Sequence, residues 1–138
     1  RWGNVLGSQG SAIPVFAKQI RDGHPVRITH PMMTRFWLPI DWAVLYMLRS
    51  FPDAHKDRAM ICPNMKTASL TNVVGAIAKI LGVEQYKLIA TGMRPGEKIH
   101  EVMTGQHHSE ISMSSDTYPN YSEQELVELL TPIVKGIA

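Results

Sequence analysis

Short apolar runs of strand length alternate along the chain with longer stretches whose apolar residues recur at helical spacing. Strand-like runs occupy residues 2–6, 26–29, 34–38, 59–62 and 86–90. Helical spacing follows Ser11, Pro39, Ser69 and Ser122. This alternation predicts an α/β or α+β fold. A length of 138 residues fits one domain with a real core.

Local signals predict where the helices begin and end. Ser11 and Ser69 are good N-caps, and Gly82 follows the apolar stripe of the third helix. Residues 122–125 fit a capping box, which predicts a C-terminal helix over 122–138 that Pro132 should bend or shorten.

The stretch between the last strand-like run and the C-terminal helix carries weaker signals. Ile99, Val102 and Met103 have helical spacing and predict a short helix. Residues 105–121 are polar and predict an irregular connection, with one short strand expected at 111–113.

Composition narrows the class of protein. Fourteen basic and twelve acidic residues give a net charge of +2, spread without long runs, so the chain is not expected to bind nucleic acid. Cys62 is the single cysteine, which excludes an internal disulfide framework and a cysteine-based zinc site. The six histidines lack ligand spacing, so no metal is expected. No apolar run reaches membrane-span length and no signal peptide opens the sequence, so we expect a cytoplasmic protein without a membrane span.

A strand-like run begins almost at the first residue of the sequence. The sequence opens at Arg1 without a methionine, and residues 2–6 already have strand character. We therefore expect the chain to be part of a longer protein.

The segment Arg94-Pro95-Gly96-Glu97 predicts a tight turn directly after a strand. Proline fixes its own φ, and glycine accepts a positive φ at little steric cost. Such a turn can hold Arg94 and Glu97 toward one ligand, with the guanidinium on a phosphate and the carboxylate on vicinal hydroxyls. A surface turn with one exposed ion pair is an equally good interpretation of these residues alone.

Three further positions are candidates with open alternatives. Asn4 ends the first strand and can bond a phosphate or sugar oxygen, or simply terminate the strand. The loop 7–11 leads into a helix start, where free amides favour anions, but it lacks the lysine and spacing of a P-loop. Arg35 lies among bulky apolar residues and either extends to the surface or faces a pocket.

Three segments resemble one known family, the nucleotide-sugar 4,6-dehydratases of polysaccharide biosynthesis. Residues 1–14 (RWGNVLGSQGSAIP) resemble the family stretch RYGNV(L/M)xSxGSVIP, residues 29–36 (THPMMTRF) resemble TxPxMTRF, and residues 92–101 (GMRPGEKIHE) resemble GxRPGEKLHE. The three motifs occur in the family's order over most of the first hundred residues, whereas residues after about 105 add little.

The resemblance implies a fold and a cofactor. These proteins are extended short-chain dehydrogenases/reductases with an N-terminal Rossmann domain for NADP or NAD and a smaller C-terminal substrate lobe. The chain contains neither a glycine-rich dinucleotide fingerprint nor a Tyr-x-x-x-Lys motif. It is therefore expected to be an α/β, Rossmann-like C-terminal part over 1–138 that lacks the dinucleotide-binding strands. Catalytic residues and most of the cofactor site are expected in a missing N-terminal portion, so the chain is expected to be inactive alone.

The resemblance also assigns a UDP-sugar site. Asn4 matches the family's asparagine near the diphosphate and sugar, and Arg35 and Arg94 match two arginines that clamp the diphosphate. Glu97 matches the carboxylate on the ribose. The segment against the uracil corresponds to Ser11, Ile13 and Pro14.

Two positions match residues near the nicotinamide, Trp2 and Gly3. Trp2 stands where the family usually has tyrosine. The resemblance therefore leaves open how a nicotinamide ring would pack at this position.

In the family's reaction, hydride leaves C4 of the sugar, water is eliminated across C5 and C6, and hydride returns to C6. The resemblance implies a UDP-N-acetylglucosamine 4,6-dehydratase for capsule, polysaccharide or glycan synthesis, and it leaves open whether the configuration at C5 is inverted or retained. A related epimerase or reductase, and a non-catalytic nucleotide-sugar-binding module, remain alternatives. An unpaired first strand predicts self-association, and a homo-oligomer is expected.

Overall fold

The computed structural model describes residues 1–8, 10–51, 62–104 and 112–137. Helices and strands alternate within these ranges, which confirms the α/β prediction. The strands are β1 (Asn4–Leu6), β2 (Val26–Ile28), β3 (Thr34–Pro39), β4 (Lys66–Ser69), β5 (Leu88–Ala90), β6 (Val102–Thr104) and β7 (Ser112–Ser114). The helices are α1 (Ala12–Arg21), α2 (Ile40–Ser50), α3 (Leu70–Leu81) and α4 (Glu123–Gly136). None of the helices in these ranges is long and apolar enough to cross a membrane.

The central sheet has the order β1-β3-β4. β1 and β3 are parallel, with Asn4 opposite Trp37, and β3 and β4 are antiparallel, with Thr34 opposite Ser69. Successive β3 side chains point to opposite faces of the sheet. Phe36, Trp37 and Leu38 are all buried, so both faces are covered.

Each face of this sheet has its own core. Trp37 belongs to the larger cluster, to which α1, α3 and α4 contribute, including Ile13, Ile77 and Leu130. Phe36 and Leu38 belong to the smaller cluster, which is completed by Ala43 of α2 and by methionines of the β6–β7 hairpin. The hairpin is therefore packed against the sheet by its buried methionines.

The predicted helix caps are largely confirmed. The Ser69 side chain accepts a hydrogen bond from the Asn72 N–H, and Gly82 ends α3 with a φ of 69°. Ser122 and Glu125 form the predicted capping box. Pro132 does not shorten α4, which continues to Gly136.

The short helix predicted from Ile99, Val102 and Met103 is wrong. Residues 102–104 form β6, in which Val102 is exposed and Met103 is buried, as strand alternation requires. The backbone before β6 bonds to distant residues instead of its own turn, since Ile99 O accepts from the Thr34 N–H and Glu101 O from the Ser115 N–H. Three apolar positions could not distinguish these two conformations.

The region predicted as an irregular connection contains β7, which pairs antiparallel with β6. The strand expected at 111–113 thus begins one residue later within the described part, at Ser112. The predicted strand at 59–62 lies outside the described residues except for Cys62.

A two-stranded sheet, β2 parallel to β5, leads into the Arg94 turn. The Thr91 N–H donates to Ile28 O just beyond this sheet, at 2.9 Å. The start of the 92–98 segment is therefore anchored to β2.

Candidate functional site

Residues 94–97 form the tight turn that the sequence predicts. The Glu97 N–H donates to Arg94 O at 3.0 Å, and Gly96 has a φ of 86°. Proline and then a positive-φ glycine at the central positions identify a type II turn. The Glu97 carboxylate closes the turn further, because its Oε2 accepts from the Arg94 N–H at 2.9 Å.

This turn forms one wall of a cleft of about 350 Å³. The start of β1, the start of β3 and the segment leading into β6 form the other walls. The lining residues are Arg1, Trp2, Arg35, Gly96, Glu97, Lys98, Glu101, Val102 and Met103. The volume lies at the lower end of the usual range for small-molecule sites, roughly 300–1,000 Å³. Three cationic side chains and two carboxylates give the cleft a mixed, strongly polar character.

The Arg35 guanidinium is held mainly by backbone carbonyls. Its Nη1 donates to Thr34 O at 2.7 Å and to Ile99 O at 3.0 Å, and its Nη2 donates to Lys98 O at 2.9 Å. Its Nε lies 3.5 Å from Glu101 Oε1, and the side chain is 13% exposed. A guanidinium has five N–H donors. Arg35 therefore fixes the 98–101 segment against β3 and keeps little donor capacity for a ligand.

A partly buried polar network joins Thr34, the residue before this arginine, to His100 and Ser115. The Thr34 hydroxyl lies 2.8 Å from His100 Nδ1 and 2.7 Å from Ser115 Oγ. Ser115 Oγ also accepts from the Glu101 N–H at 2.8 Å, and Ser115 is fully buried. The second carboxylate oxygen of Glu101, Oε2, is buried and has no hydrogen-bond partner among the described residues. These hydrogen bonds connect β3, the 99–101 segment and the residue after β7.

The sequence-predicted substrate residues are only partly brought together. Arg35 and Glu97 line the same cleft, although they are far apart in the sequence. Arg94 does not line it, and its side chain is exposed without a hydrogen bond to the described residues. Asn4 is half-buried in β1 and lies outside the lining.

The segment predicted to contact uracil lies at the start of α1, away from the cleft lining. Ile13 is fully buried in the larger core, so its side chain packs α1 onto that core. Ser11 is the N-cap residue but makes no side-chain cap bond, and its hydroxyl oxygen is buried without a partner among the described residues. Pro14 is half-buried. Their contact with a base remains a prediction.

The two predicted cofactor residues differ in their surroundings. Trp2 lines the cleft, is 38% exposed and meets Tyr46 edge-on at a centroid distance of 6.3 Å. A Cβ on Gly3 would lie 2.5 Å from Phe36 Cβ and 2.7 Å from Phe36 O, so glycine is required there by the approach of β1 to β3. Contact of these two residues with a nicotinamide ring stays a prediction.

Sequence reasoning missed several residues of the cleft. Lys98 and Glu101 lie in the same motif as Glu97, one and four residues after it. Their closeness in sequence to the Arg94 turn could have indicated that they line the cleft. Outside the lining, the pairing of Thr34 with Ser115 could not be predicted from the sequence, because it depends on how the hairpin folds back onto β3.

Three groups with shifted pKa lie outside the cleft lining. A hydrogen bond from Ser114 lowers the pKa of Asp116, and one from Lys66 lowers the pKa of Glu125. Burial raises the pKa of Tyr121. All three groups lie between the end of β7 and the first turn of α4. Their pKa shifts therefore reflect contacts that hold this region in place.

The chain shares sequence with proteins that modify nucleotide sugars. It is 36% identical over 119 residues to UDP-N-acetylglucosamine 4,6-dehydratase (inverting) of Campylobacter jejuni subsp. jejuni serotype O:23/36, covering 86% of this chain and 34% of that relative. It is 33% identical over 101 residues to UDP-glucose 4-epimerase of Rickettsia massiliae, covering 73% of this chain and 29% of that relative. The chain thus spans about a third of the length of these curated relatives.

Solved structures share the fold. Pen from Bacillus thuringiensis superimposes with a TM-score of 0.81 at 25% identity, covering 96% of this chain and 47% of that one. UDP-glucuronic acid 4-epimerase from Bacillus cereus, solved in complex with UDP-glucuronic acid and NAD, superimposes with a TM-score of 0.62 over 100% of this chain and 45% of that one. At 19% identity, the second likeness concerns the fold alone.

The family described as polysaccharide biosynthesis protein matches residues 1–123, which is most of the chain and includes all three recognised motifs. The match also includes every residue that lines the cleft. The chain therefore belongs to the polysaccharide biosynthesis protein family, whose relatives include nucleotide-sugar dehydratases and epimerases.

Proposed function

We propose that this chain is the substrate-binding part of a nicotinamide-dependent UDP-N-acetylglucosamine 4,6-dehydratase of polysaccharide biosynthesis. The observation that carries the proposal is the meeting of Arg35 and Glu97 on one polar cleft. The identity of 36% to the Campylobacter dehydratase supports this substrate class. A cytoplasmic location stays a prediction.

In the proposed complex, the ribose hydroxyls lie against Glu97. Its Oε2 is engaged by the turn, whereas no hydrogen bond within the described residues uses its Oε1. A carboxylate oxygen at the wall of a polar cleft is a good acceptor for a hydroxyl. Lys98 and the positive charge of Arg35 provide attraction for the diphosphate on the same wall.

The N–H donors of the Arg94 side chain are available to a ligand. Arg35 directs three N–H groups to carbonyls, but the Arg94 side chain makes no hydrogen bond to the described residues. Arg94 also precedes by two residues the Gly96 that lines the cleft. A flexible arginine at this position can turn toward a bound diphosphate and form a forked pair with it. We therefore assign direct diphosphate binding to Arg94 and a positioning role to Arg35.

The redox cofactor, NADP or NAD, and the acid–base residues are assigned to the part of the relatives' fold that this chain does not span. A bound nicotinamide would supply the hydride acceptor and donor, and Trp2 offers one flat wall for it. What the chain's own residues contribute is binding and orientation of the sugar nucleotide. Binding energy from parts of a substrate remote from the reacting bonds can orient those bonds for reaction.

Titration of the chain with UDP in a calorimeter tests this proposal. We expect binding in the native chain and a loss of about 10- to 150-fold for Arg94→Ala, the scale of one charged hydrogen-bonding group. Glu97→Gln should also weaken binding, since an amide keeps an acceptor for the turn but removes the charge. Arg27→Ala is the matched control, because Arg27 is exposed on β2 and does not line the cleft.

The outcomes separate cleanly. Binding that is lost in the Arg94 and Glu97 variants but kept in the Arg27 variant supports the assigned site. No binding of UDP by the native chain, or equal loss in all three variants, would reject it.

A sugar-nucleotide 4-epimerase is the second candidate. The identity of 33% to the Rickettsia epimerase over this same part of the chain favours it. The two reactions give different products, a 4-keto-6-deoxy sugar or a C4 epimer. Product analysis by proton NMR, with the whole enzyme that contains this sequence, distinguishes them by the appearance of a C6 methyl signal.

A further inference from the structure

Glu101 is fixed in place by its backbone, whereas its carboxylate is only weakly engaged. Its N–H donates to Ser115 Oγ at 2.8 Å, and its carbonyl oxygen accepts from the Ser115 N–H at 2.9 Å. Among the residues that the structure describes, the carboxylate is paired only with Arg35, whose Nε lies 3.5 Å from Oε1. The other oxygen, Oε2, is buried and has no donor in this part of the chain. The carboxylate therefore keeps capacity to accept a hydrogen bond from a ligand.

A buried carboxylate oxygen without a donor is energetically unfavourable. It has lost its hydration, and polar groups that are both buried and unpaired are rare in proteins. The torsion that turns the carboxylate of a glutamate has a broad energy profile, so the two oxygens can change orientation at little cost. For Glu101 Oε2, a turn toward the cleft breaks no hydrogen bond to the described residues. A ligand donor in the cleft would relieve the cost of the unpaired oxygen.

The charged residues along this wall of the cleft alternate in sign. Glu97 and Glu101 both line the cleft, with the cleft-lining Lys98 between them in sequence. The Arg35 guanidinium binds the carbonyls of Lys98 and Ile99, so it adds positive charge to the same stretch. Phosphates are attracted by these cations and repelled by the carboxylates, whereas hydroxyl and amide N–H groups donate to carboxylates. The wall is thus complementary to a diphosphate that lies between two neutral groups with hydrogen-bond donors.

We infer that Glu101 is a specificity-determining residue, which accepts a hydrogen bond from a hydroxyl or amide N–H of the sugar beyond the diphosphate. In the proposed function, on which this role rests, the ribose lies against Glu97. The second sugar of the same ligand then lies on the other side of the diphosphate, where Glu101 is the carboxylate of the cleft that remains. A site whose acceptor is satisfied by a substrate donor discriminates against analogues that lack this donor. Glu101 therefore distinguishes a nucleotide sugar from a nucleotide that ends in phosphate.

Calorimetric titrations of the chain with UDP and with UDP-N-acetylglucosamine test this role. The chain contains no Tyr-x-x-x-Lys motif, so we expect the sugar nucleotide to remain intact during the titration. The native chain should bind it about tenfold more tightly than UDP, the scale of one hydrogen bond to a charged acceptor. Glu101→Gln keeps the shape of the side chain but removes its charge. This change should lower the ratio of the two affinities toward one and leave the affinity for UDP unchanged.

Two variants with the same chemical change serve as controls. Glu97→Gln should weaken the binding of both ligands by the same factor, because both contain the ribose. Glu84→Gln should change neither affinity, because Glu84 is exposed after α3 and does not line the cleft. Glu101→Asp keeps the charge beside Arg35 but shortens the side chain, so it should also lose the preference for the sugar nucleotide. Urea unfolding of each variant verifies that it is folded.

A failure of this role is distinguishable from a failure of the proposed function. Equal weakening of both ligands in Glu101→Gln would mean that Glu101 only holds Arg35 in place, and it would overturn the role in specificity. A native chain that binds both ligands equally, or a preference that survives Glu101→Gln, also overturns it. These three results leave the UDP site intact. If the native chain binds neither ligand, the proposed function fails, and the role of Glu101 fails with it.

Discussion

Replacing Arg35 with alanine should destabilise the fold much more than the same change at Arg94. Arg35 donates to the carbonyls of Thr34 and Ile99 in partly buried surroundings and to Lys98 O in exposed surroundings. Water can replace the donor at Lys98 O, but two carbonyls lose theirs at about 1 kcal/mol each. Glu101, 29% exposed, also loses its cationic partner, which adds about 1–2 kcal/mol. The sum is about 3–4 kcal/mol of the free energy of unfolding.

Urea unfolding followed by tryptophan fluorescence and circular dichroism measures this difference. The control is Arg94→Ala, which should change the free energy of unfolding by less than about 0.5 kcal/mol, because only backbone atoms of Arg94 participate in the turn. The two arginines are thus expected to separate into a structural one and a ligand-binding one.

Two further variants keep the test informative if Arg35→Ala does not fold. Arg35→Lys retains the charge but not the forked geometry, so it should lose an intermediate amount. Glu101→Gln in the Arg35→Ala background removes the unpaired carboxylate and should recover part of the loss, as expected for residues in contact. Equal, small effects of Arg35→Ala and Arg94→Ala would refute the structural role of Arg35.

Three other predictions concern local structure. Gly3→Ala should destabilise the chain by about 1–3 kcal/mol through overpacking against β3, seen as a lower urea midpoint. Ser122→Ala should cost about 1 kcal/mol in a thermal melt because it removes a helix cap, whereas Ser11→Ala should cost less, since Ser11 makes no side-chain cap bond. The hydrogen bond from Lys66 lowers the pKa of Glu125 below its ordinary 4.5, so its stabilisation is complete above that pH and is lost as pH falls further. In Glu125→Gln, the free energy of unfolding should therefore fall less steeply as the pH is lowered below this range.

Each of these has a contrary result. Gly136→Ala is the control for Gly3, because no heavy atom lies within 4 Å of its added Cβ, and similar losses at both glycines would contradict the steric argument. Equal losses at the two serines would contradict the capping argument. If the loss of stability at acid pH is the same in Glu125→Gln as in the native chain, other carboxylates control that loss.

Local features were predictable because neighbouring residues decide them. The caps at Ser69 and Ser122 satisfy amides only three residues away, and the type II turn needs only Pro95 and Gly96. Glu97, which the family motif singles out, lines a polar cleft, and its contact with a ribose stays a prediction.

Features that depend on distant contacts were not predictable in this way. Val102 and Met103 were predicted to lie in a helix with Ile99, yet they lie in a strand, because β7 offers a partner and Ser115 binds the preceding backbone. Arg35 was equally ambiguous, since its carbonyl acceptors at Lys98 and Ile99 come from a segment far along the chain.

The amino-acid sequence alone determined the alternation of helices and strands, the caps and the turn, because their energies come from hydrogen bonds and sterics within a few residues. Only the tertiary structure decided that Arg35 is held by carbonyls while Arg94 stays exposed, and that Lys98 and Glu101 join the cleft. A donor's role depends on which acceptors surround it, and chain folding alone brings those acceptors within hydrogen-bonding distance.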